Sequence, residues 1–304
     1  MKIKKSEHQR EYYLGIIFVI IGAIAFSAKA VMIKLAYNYG TDVDPISLMM
    51  LRMVMALPFF LVVAFWTNRN ENHESLEQKD WFAIFCLGML GYYLASLLDF
   101  KGLQTISAGL ERLILFLYPT FVVLLSAIFL KRKIVKFEIM ALLLSYAGIA
   151  LVVRDNIVTD PENVIMGGLL IVGSALSFAL FLMGSGVMIK RIGSIRFTAY
   201  AMTVSCILTI LHYVITHDLV FPTFPKQVYS LALMLAIIST VLPSFLMNAG
   251  IHRVGASSAS IMSSIGPIST LVLACYFLGE VISNVQIAGT LLVIIGVYLV
   301  GRYR

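Results

Sequence analysis

Residues 102–151 read GLQTISAGLERLILFLYPTFVVLLSAIFLKRKIVKFEIMALLLSYAGIAL, and residues 250–299 read GIHRVGASSASIMSSIGPISTLVLACYFLGEVISNVQIAGTLLVIIGVYL. A shift of 148 residues places twelve positions of the first stretch on identical residues in the second. Leucine matches carry little information in so apolar a chain, but glycine and proline matches do. The matched glycines and prolines are Gly102/Gly250, Pro119/Pro267 and Gly148/Gly296. The chain therefore contains one structural unit twice.

The amino-acid composition indicates whether this chain folds in water or in a lipid bilayer. Of 304 residues, 60% are apolar and 13% are charged, whereas soluble domains carry about 25% charged residues. A membrane-spanning helix needs about 20 mostly apolar residues, and the period-two alternation of a membrane β-barrel is absent. We therefore expect an all-α integral membrane protein with ten transmembrane helices and no room for a separate catalytic or nucleic-acid-binding domain. The predicted spans are 14–36, 47–66, 81–100, 106–130, 137–153, 165–186, 197–216, 228–249, 255–278 and 285–301.

The number of helices in each unit determines how the two units are related. Five spans fall in each half, and because five is odd, the second half must enter the membrane from the opposite side. The prediction is a pair of inverted five-helix repeats, the architecture of many secondary transporters. Residues 1–13 form a cytoplasmic tail, 14–153 the first repeat, 154–164 an external linker and 165–304 the second repeat.

The distribution of basic residues predicts the orientation. Segments on one side of the predicted spans hold 16 Lys and Arg, segments on the other side hold three, and four lie within spans. Cytoplasmic loops carry the excess of Lys and Arg. Both termini are therefore expected in the cytoplasm, in a multi-pass protein of the cytoplasmic membrane.

Several short motifs resemble a known family. They are Ser27-Ala28-Lys29-Ala30, Ser107-Ala108-Gly109-Leu110-Glu111-Arg112, Tyr118-Pro119-Thr120, Gly266-Pro267 and Leu278-Gly279-Glu280. Together with the ten spans, they resemble EamA-type members of the drug/metabolite transporter superfamily. The resemblance implies a ten-helix carrier that moves small metabolites, often outward, by alternating access. It implies no particular substrate, and the halves depart from each other where Lys131-Arg132 stands in place of Gly279-Glu280.

Ionisable residues within the predicted spans are the first candidates for a site, because an unpaired charge in a membrane costs several kcal/mol. Lys29 lies deepest, and the expected pairs are Glu111 with Lys29 and Arg112 with Asp99. Arg52 could instead extend to the outer interface, as long basic side chains do. Four cations in the spans against two carboxylates favour an anionic or zwitterionic, amino-acid-like substrate. A buried carboxylate could also bind a coupling proton.

Polar side chains at helical spacing extend this set. Tyr92, Ser96 and Asp99 share one helix face, and Ser244 and Asn248 share another; small polar residues could equally serve helix packing. Pro119 and Pro267 interrupt their helices at matching positions, which points to gating. The predicted substrate-binding residues are Lys29, Arg52, Tyr92, Ser96, Asp99, Glu111, Arg112, Tyr118, Ser244, Asn248, Ser260 and Ser264.

These expectations define a function. The sequence predicts a secondary active transporter that exports a small metabolite, with the lipid bilayer and a coupling proton as partners and with no cofactor, metal or nucleic acid. A monomer and a homodimer both fit. Two other classes stay open: a membrane enzyme acting on a lipid or isoprenoid through Glu111, Arg112 and Asp99, and a non-transporting membrane subunit. The dispersal of the charges over several helices disfavours the first, and the internal symmetry disfavours the second.

Overall fold

The computed structural model describes residues 2–40, 42–69, 76–129, 131, 136–157, 160–217, 221–254, 259, 262–263 and 265–302. Within these ranges every regular element is a helix. The helices are α1 (Lys2–Tyr39), α2 (Pro45–Asn68), α3 (Gln78–Thr105), α4 (Ala108–Phe129), α5 (Lys136–Ile157), α6 (Pro161–Ile192), α7 (Ser194–Thr216), α8 (Lys226–Val254), α9 (Ile265–Leu278) and α10 (Asn284–Arg302).

The helices are long and apolar enough for a multi-pass membrane protein. In the described part of the chain, seven of them could cross a membrane, and shorter apolar stretches occur at Leu142–Arg154, Ile265–Leu278 and Asn284–Gly296. Helices run past the predicted spans; α6, for example, occupies 161–192 where 165–186 was expected. The apolar run ends where charged residues begin, but Lys and Arg are good helix formers, so α6 continues through Lys190 and Arg191 and ends only at Gly193, whose φ is 82°.

Local signals explain where α2 and α3 begin. The Asp44 carboxylate accepts hydrogen bonds from the amides of Ile46 and Ser47, and Pro45 occupies the first turn, where its missing N–H is not needed. At the start of α3, Glu77 and Asp80 form a reciprocal capping box. Hydrogen bonds from Lys79 and Arg191 lower the pKa of Glu77.

Two helices contain a π-helical segment at corresponding positions. One covers Met89–Leu94 in α3 and the other Ile237–Val241 in α8. The first residues of the two segments are 148 apart, the same shift that relates the repeated stretches. Leu90 O in the first segment accepts the π-helical hydrogen bond from the Ala95 amide and a second hydrogen bond, at 2.7 Å, from Ser177 Oγ of α6. No residue pattern in the sequence indicated these segments.

Glycine allows the closest helix contacts. A Cβ at Gly148 of α5 would lie 2.5 Å from the carbonyl oxygen of Gly289 in α10, and a Cβ at Gly88 of α3 would lie 2.6 Å from that of Ala201 in α7. Close backbone approach of this kind is the usual way that membrane helices associate. The main packing partners are α1 with α8 and α9, α6 with α3 and α4, α2 with α7, and α5 with α10.

Polarity is distributed as expected for a protein in lipid. Large apolar side chains such as Phe82, Leu169 and Val272 are exposed on the outside of the helix bundle, whereas Lys29, Asp99 and Glu111 are buried within it. Lipid tails solvate the apolar exterior, so the charged groups must find their partners inside the protein. Their positions define the candidate site.

Candidate functional site

The core of the site is a buried ion pair between α1 and α3. Lys29 Nζ lies 2.7 Å from Asp99 Oδ2, and the two side chains are 8% and 1% exposed. The expected pairs, Glu111 with Lys29 and Arg112 with Asp99, were therefore wrong. Spacing within one helix cannot predict a partner on another helix, and the crossing of α1 with α3 brings the Lys29 ammonium to Asp99 instead.

The first segment of α4, Ala108–Leu115, adds two charges to this ion pair. Every residue of the segment is buried, and Glu111 is 0% exposed. Arg112 Nη2 donates to Ser27 Oγ of α1 at 3.2 Å. A Cβ at Gly266 of α9 would lie 2.8 Å from Arg112 Nη2, so this guanidinium rests against the backbone of the second half of the chain.

Arg52 of α2 also lies within the bundle. It is 3% exposed, and its guanidinium carbon lies 4.7 Å from the centroid of the Phe100 ring of α3. The interpretation that Arg52 extends to the outer interface was wrong. The aromatic face of Phe100 supplies a cation–π contact to this guanidinium inside the bundle.

The buried polar atoms that lack a hydrogen bond are concentrated here. Eight such side-chain atoms occur in the described residues, and seven belong to Arg52, Asp99, Glu111 and Arg112. The eighth is Ser205 Oγ of α7. Asp99 Oδ2 has the ion contact with Lys29, and the other atoms have no hydrogen-bond partner that meets ordinary geometry. Buried donors and acceptors are nearly always satisfied in native proteins, so these atoms make the cluster the candidate binding site.

The two carboxyl groups of the cluster contact each other. Glu111 interacts with Asp99 most strongly and also with Lys29 and Arg112. A carboxylate is only an acceptor, so a carboxyl–carboxyl contact becomes a hydrogen bond only when one group carries a proton. The charged cluster, Lys29, Arg52, Asp99, Glu111 and Arg112, thus holds three cations and two acids that can share a proton.

A second polar group lies between α3, α7 and α8. Asn248 Nδ2 donates to Thr198 Oγ1 at 2.9 Å, and Thr198 also hydrogen-bonds to the Tyr92 side chain. The structure therefore links Tyr92 and Asn248, but through Thr198 rather than directly, and apart from the charged cluster. Ser96 is half-buried on α3, and the Ser244 hydroxyl donates to the carbonyl of Thr240 in its own helix.

Pro119 and Pro267 both lie near the start of a helical segment, Tyr118–Phe129 and Ile265–Leu278 respectively. α4 is interrupted at Phe116 and Leu117, immediately before Tyr118 and Pro119, where the missing N–H of proline removes a helical hydrogen bond. Tyr118 is half-buried and packs edge-on against Phe178 at 5.3 Å. Pro267 is buried in the first turn of α9. Ser260 and Ser264 lie outside the described residues.

Sequence reasoning missed three contributors. Thr198 joins Tyr92 to Asn248, Ser27 binds Arg112, and Glu280 accepts hydrogen bonds from the first turn of α4. Single hydroxyl residues in an apolar helix carry no distinctive pattern, although Ser27 belongs to one of the motifs that resemble EamA-type transporters. Glu280 has no acidic counterpart in the first repeat, where Arg132 stands at the corresponding position, so the repeat pattern did not indicate a role for it. Within the described residues, no three His, Cys, Asp or Glu side chains are placed to hold a metal.

Comparison with known proteins decides the family. The model of the EamA-like transporter family matches residues 13–154 and again residues 165–302. The chain belongs to the EamA-like transporter family. This membership, together with the apolar helices, makes it a multi-pass protein of the cytoplasmic membrane.

Individual relatives agree with the family. The chain is 31% identical over 294 residues to the "Uncharacterized transporter YcbK" of Bacillus subtilis, covering 95% of this chain and 93% of that protein. It is 24% identical to an "Uncharacterized transporter" of Archaeoglobus fulgidus, covering 86% and 90%. A crystal structure of a protein 15% identical in sequence superposes with a TM-score of 0.65 over 95% of this chain and 98% of its own, which supports the same fold.

Proposed function

We propose that this EamA-family protein is a secondary active transporter that exports a small zwitterionic or anionic metabolite by alternating access. Ten transmembrane helices form two inverted repeats, residues 14–153 and 165–304, joined by an external linker at 154–164, with both termini in the cytoplasm. The charged cluster binds the substrate, and Pro119 and Pro267 belong to the gates.

Three observations support the repeat architecture. The family model matches the chain twice, and the π-helical segments of α3 and α8 begin 148 residues apart. The helix packing has the same symmetry: if α1 to α5 correspond to α6 to α10, the pairing of α1 with α8 and α9 corresponds to that of α6 with α3 and α4, and the pairs α2/α7 and α5/α10 correspond to themselves.

The proposed substrate class rests on the buried polar atoms that have no hydrogen bond. Donors without partners on Arg52 and Arg112, and acceptors without partners on Asp99 and Glu111, surround the Lys29–Asp99 ion pair. A ligand with both a carboxylate and an ammonium group would satisfy both kinds of atom. With three cations against two acids, a net anionic substrate would also balance the remaining positive charge, which a membrane interior penalises, whereas a zwitterion would leave that charge unchanged.

The contact between Asp99 and Glu111 supports proton coupling. When neither carboxyl group carries a proton, their repulsion opposes the contact between Asp99 and Glu111. When one of them carries a proton, the two groups can form a hydrogen bond. A proton at this contact therefore favours one arrangement of α3 against α4. In this scheme a proton gradient drives transport, and a bound substrate replaces the proton as the group that stabilises the cluster.

The test compares metabolites inside and outside cells that overproduce the wild type or a Glu111→Gln, Lys29→Ala double variant. A compound enriched outside only with the wild type is the expected result and names the substrate class. Arg253→Ala is the matched control, because it removes the exposed Glu11–Arg253 ion pair, whose N···O distance is 2.8 Å, without touching the cluster. It should export like the wild type.

Other outcomes would contradict specific parts of the proposal. Identical profiles for wild type and double variant, at equal expression, would remove the assignment of the site. Enrichment inside the cells would make the protein an importer. Export that ignores an imposed pH gradient would rule out proton coupling while leaving the substrate site standing.

A further inference from the structure

The Glu280 carboxylate joins the two halves of the chain at one end of the bundle. Glu280 Oε1 accepts a hydrogen bond from the amide of Ala108 at 2.9 Å, and Oε2 accepts one from the amide of Gly109 at 3.3 Å. These are first-turn amides of α4, which have no partner within the helix. Ser107 caps the same helix from within, since its hydroxyl accepts from the amide of Leu110.

The position of Glu280 is set by the end of α9. Gly279 has a φ of 67°, and the amide of Glu280 donates to the carbonyl of Ala274 at 3.3 Å. A residue in the left-handed region commonly reverses the chain after a helix, and glycine adopts this conformation without a steric penalty. The reversal directs the Glu280 side chain away from α9 and back to α4.

Two further contacts surround this carboxylate. Lys34 of α1 interacts with it electrostatically. Next to it, a Cβ at Gly109 would lie 2.5 Å from Gln286 Nε2 and 2.8 Å from Leu271 Cδ2, so the start of α4 packs directly on α9 and α10. A negative charge at a helix N-terminus is favoured both by the free amides and by the helix dipole.

The helix that Glu280 holds is the one that carries Glu111 and Arg112. We propose that Glu280 is a positioning residue for transport: its hydrogen bonds to Ala108 and Gly109 close one gate, and their release lets the first segment of α4 swing away from α9 and open the charged cluster. The excess of basic residues at the opposite end places this gate on the outside. The inference rests on the proposed transport function for its role and on the contacts for its geometry.

The chain contains a matched control for this proposal. Ser107→Ala removes one cap of the same helix but leaves the contact between the halves intact, whereas Glu280→Ala removes only the contact between the halves. A purely structural capping role would make the two variants behave alike. Glu280→Gln retains the size of the side chain and one acceptor oxygen, and it carries the test if Glu280→Ala does not fold, as judged by size-exclusion chromatography.

The experiment measures access to the interface that the gate closes. A Leu271→Cys reporter, 7% exposed in the wild type, is placed in a background with Cys86, Cys206 and Cys275 changed to Ser. Intact cells are treated with a membrane-impermeant maleimide. The labelling rate should rise about tenfold with Glu280→Ala, because the hydrogen bonds from the Ala108 and Gly109 amides to the charged carboxylate are lost. It should rise less with Glu280→Gln and stay unchanged with Ser107→Ala.

Three results would overturn the inference. They are an unchanged rate with Glu280→Ala and Glu280→Gln, an equal rise with Ser107→Ala, and a rise seen only in inverted vesicles, which would put the gate on the other side. No substrate is needed for this measurement. Accelerated labelling without any exported metabolite would thus support the gate and refute the proposed function, and export with unchanged labelling would do the reverse.

Discussion

Corresponding positions in the two halves differ most in charge. Under the 148-residue shift, Asp99 corresponds to Met247, Glu111 to Ala259 and Arg112 to Ser260. The halves share helices, π segments and packing partners, but all five residues of the charged cluster lie in the first. The comparison teaches that the symmetric scaffold and the site are separate properties: apolar periodicity and glycine contacts maintain the scaffold, and substitutions in one half supply the chemistry.

The ends of α4 and α9 show the opposite asymmetry. Lys131 corresponds to Gly279 and has a similar positive φ, 51° against 67°. The next residue is Arg132 in the first half and Glu280 in the second. A carboxylate stabilises a helix N-terminus and a guanidinium does not. The second half therefore supplies the capping carboxylate, and the first half supplies the helix that it caps.

The largest expected effect comes from removing one partner of the buried Lys29–Asp99 ion pair, which lies in the first half of the chain. Asp99→Ala should lower the free energy of unfolding by about 3–5 kcal/mol, because the Lys29 ammonium would stay buried without its partner. Thermal unfolding in detergent measures this change. The Lys29→Met, Asp99→Leu double variant removes both charges, as in the second half, where Ser177 and Met247 stand at the corresponding positions, and it should unfold close to the wild type. If it is less stable than Asp99→Ala, the ion pair is not the source of the effect.

A smaller effect is expected where the two halves meet. Gly148→Ala places a methyl group 2.5 Å from the Gly289 carbonyl, and the resulting separation of α5 and α10 should destabilise the protein by about 1–3 kcal/mol. Gly186→Ala is the control, because nothing lies within 4 Å of a Cβ there, and replacing a glycine inside a helix should stabilise it by about 0.5–1 kcal/mol. If Gly148→Ala and Gly186→Ala change the unfolding temperature in the same direction, close packing at Gly148 is not the cause.

The smallest effect is expected at the ends of α4 and α9, where Lys131 and Gly279 have a positive φ. Gly279→Ala puts a side chain into the left-handed region, which costs about 1–2 kcal/mol, and it also displaces Glu280. Lys131→Gly removes the same strain at the corresponding position and should raise stability by a similar amount. Labelling of the Leu271→Cys reporter should increase with Gly279→Ala and stay constant with Lys131→Gly. An equal response of the two variants would show that strain alone, and not Glu280, governs access.

The sequence predicted much of this scaffold. The apolar stretches coincide with helices, because a segment in lipid must satisfy its own backbone hydrogen bonds. The paired glycines and prolines also indicated the repeat before any contact was known. Helix ends were predicted less well: α6 extends beyond its apolar run because the helix stops at Gly193 rather than where hydrophobicity ends.

Within the site, the sequence alone determined which residues need partners. Lys29, Arg52, Asp99, Glu111 and Arg112 were identified because ionisable groups are rare and costly in membrane helices. Only the tertiary structure decided which partners they have: Lys29 pairs with Asp99, Arg52 stacks on Phe100, and Glu280 reaches across the repeat to α4. Burial cost is a property of a residue and its helix, whereas a contact depends on how helices distant in sequence cross.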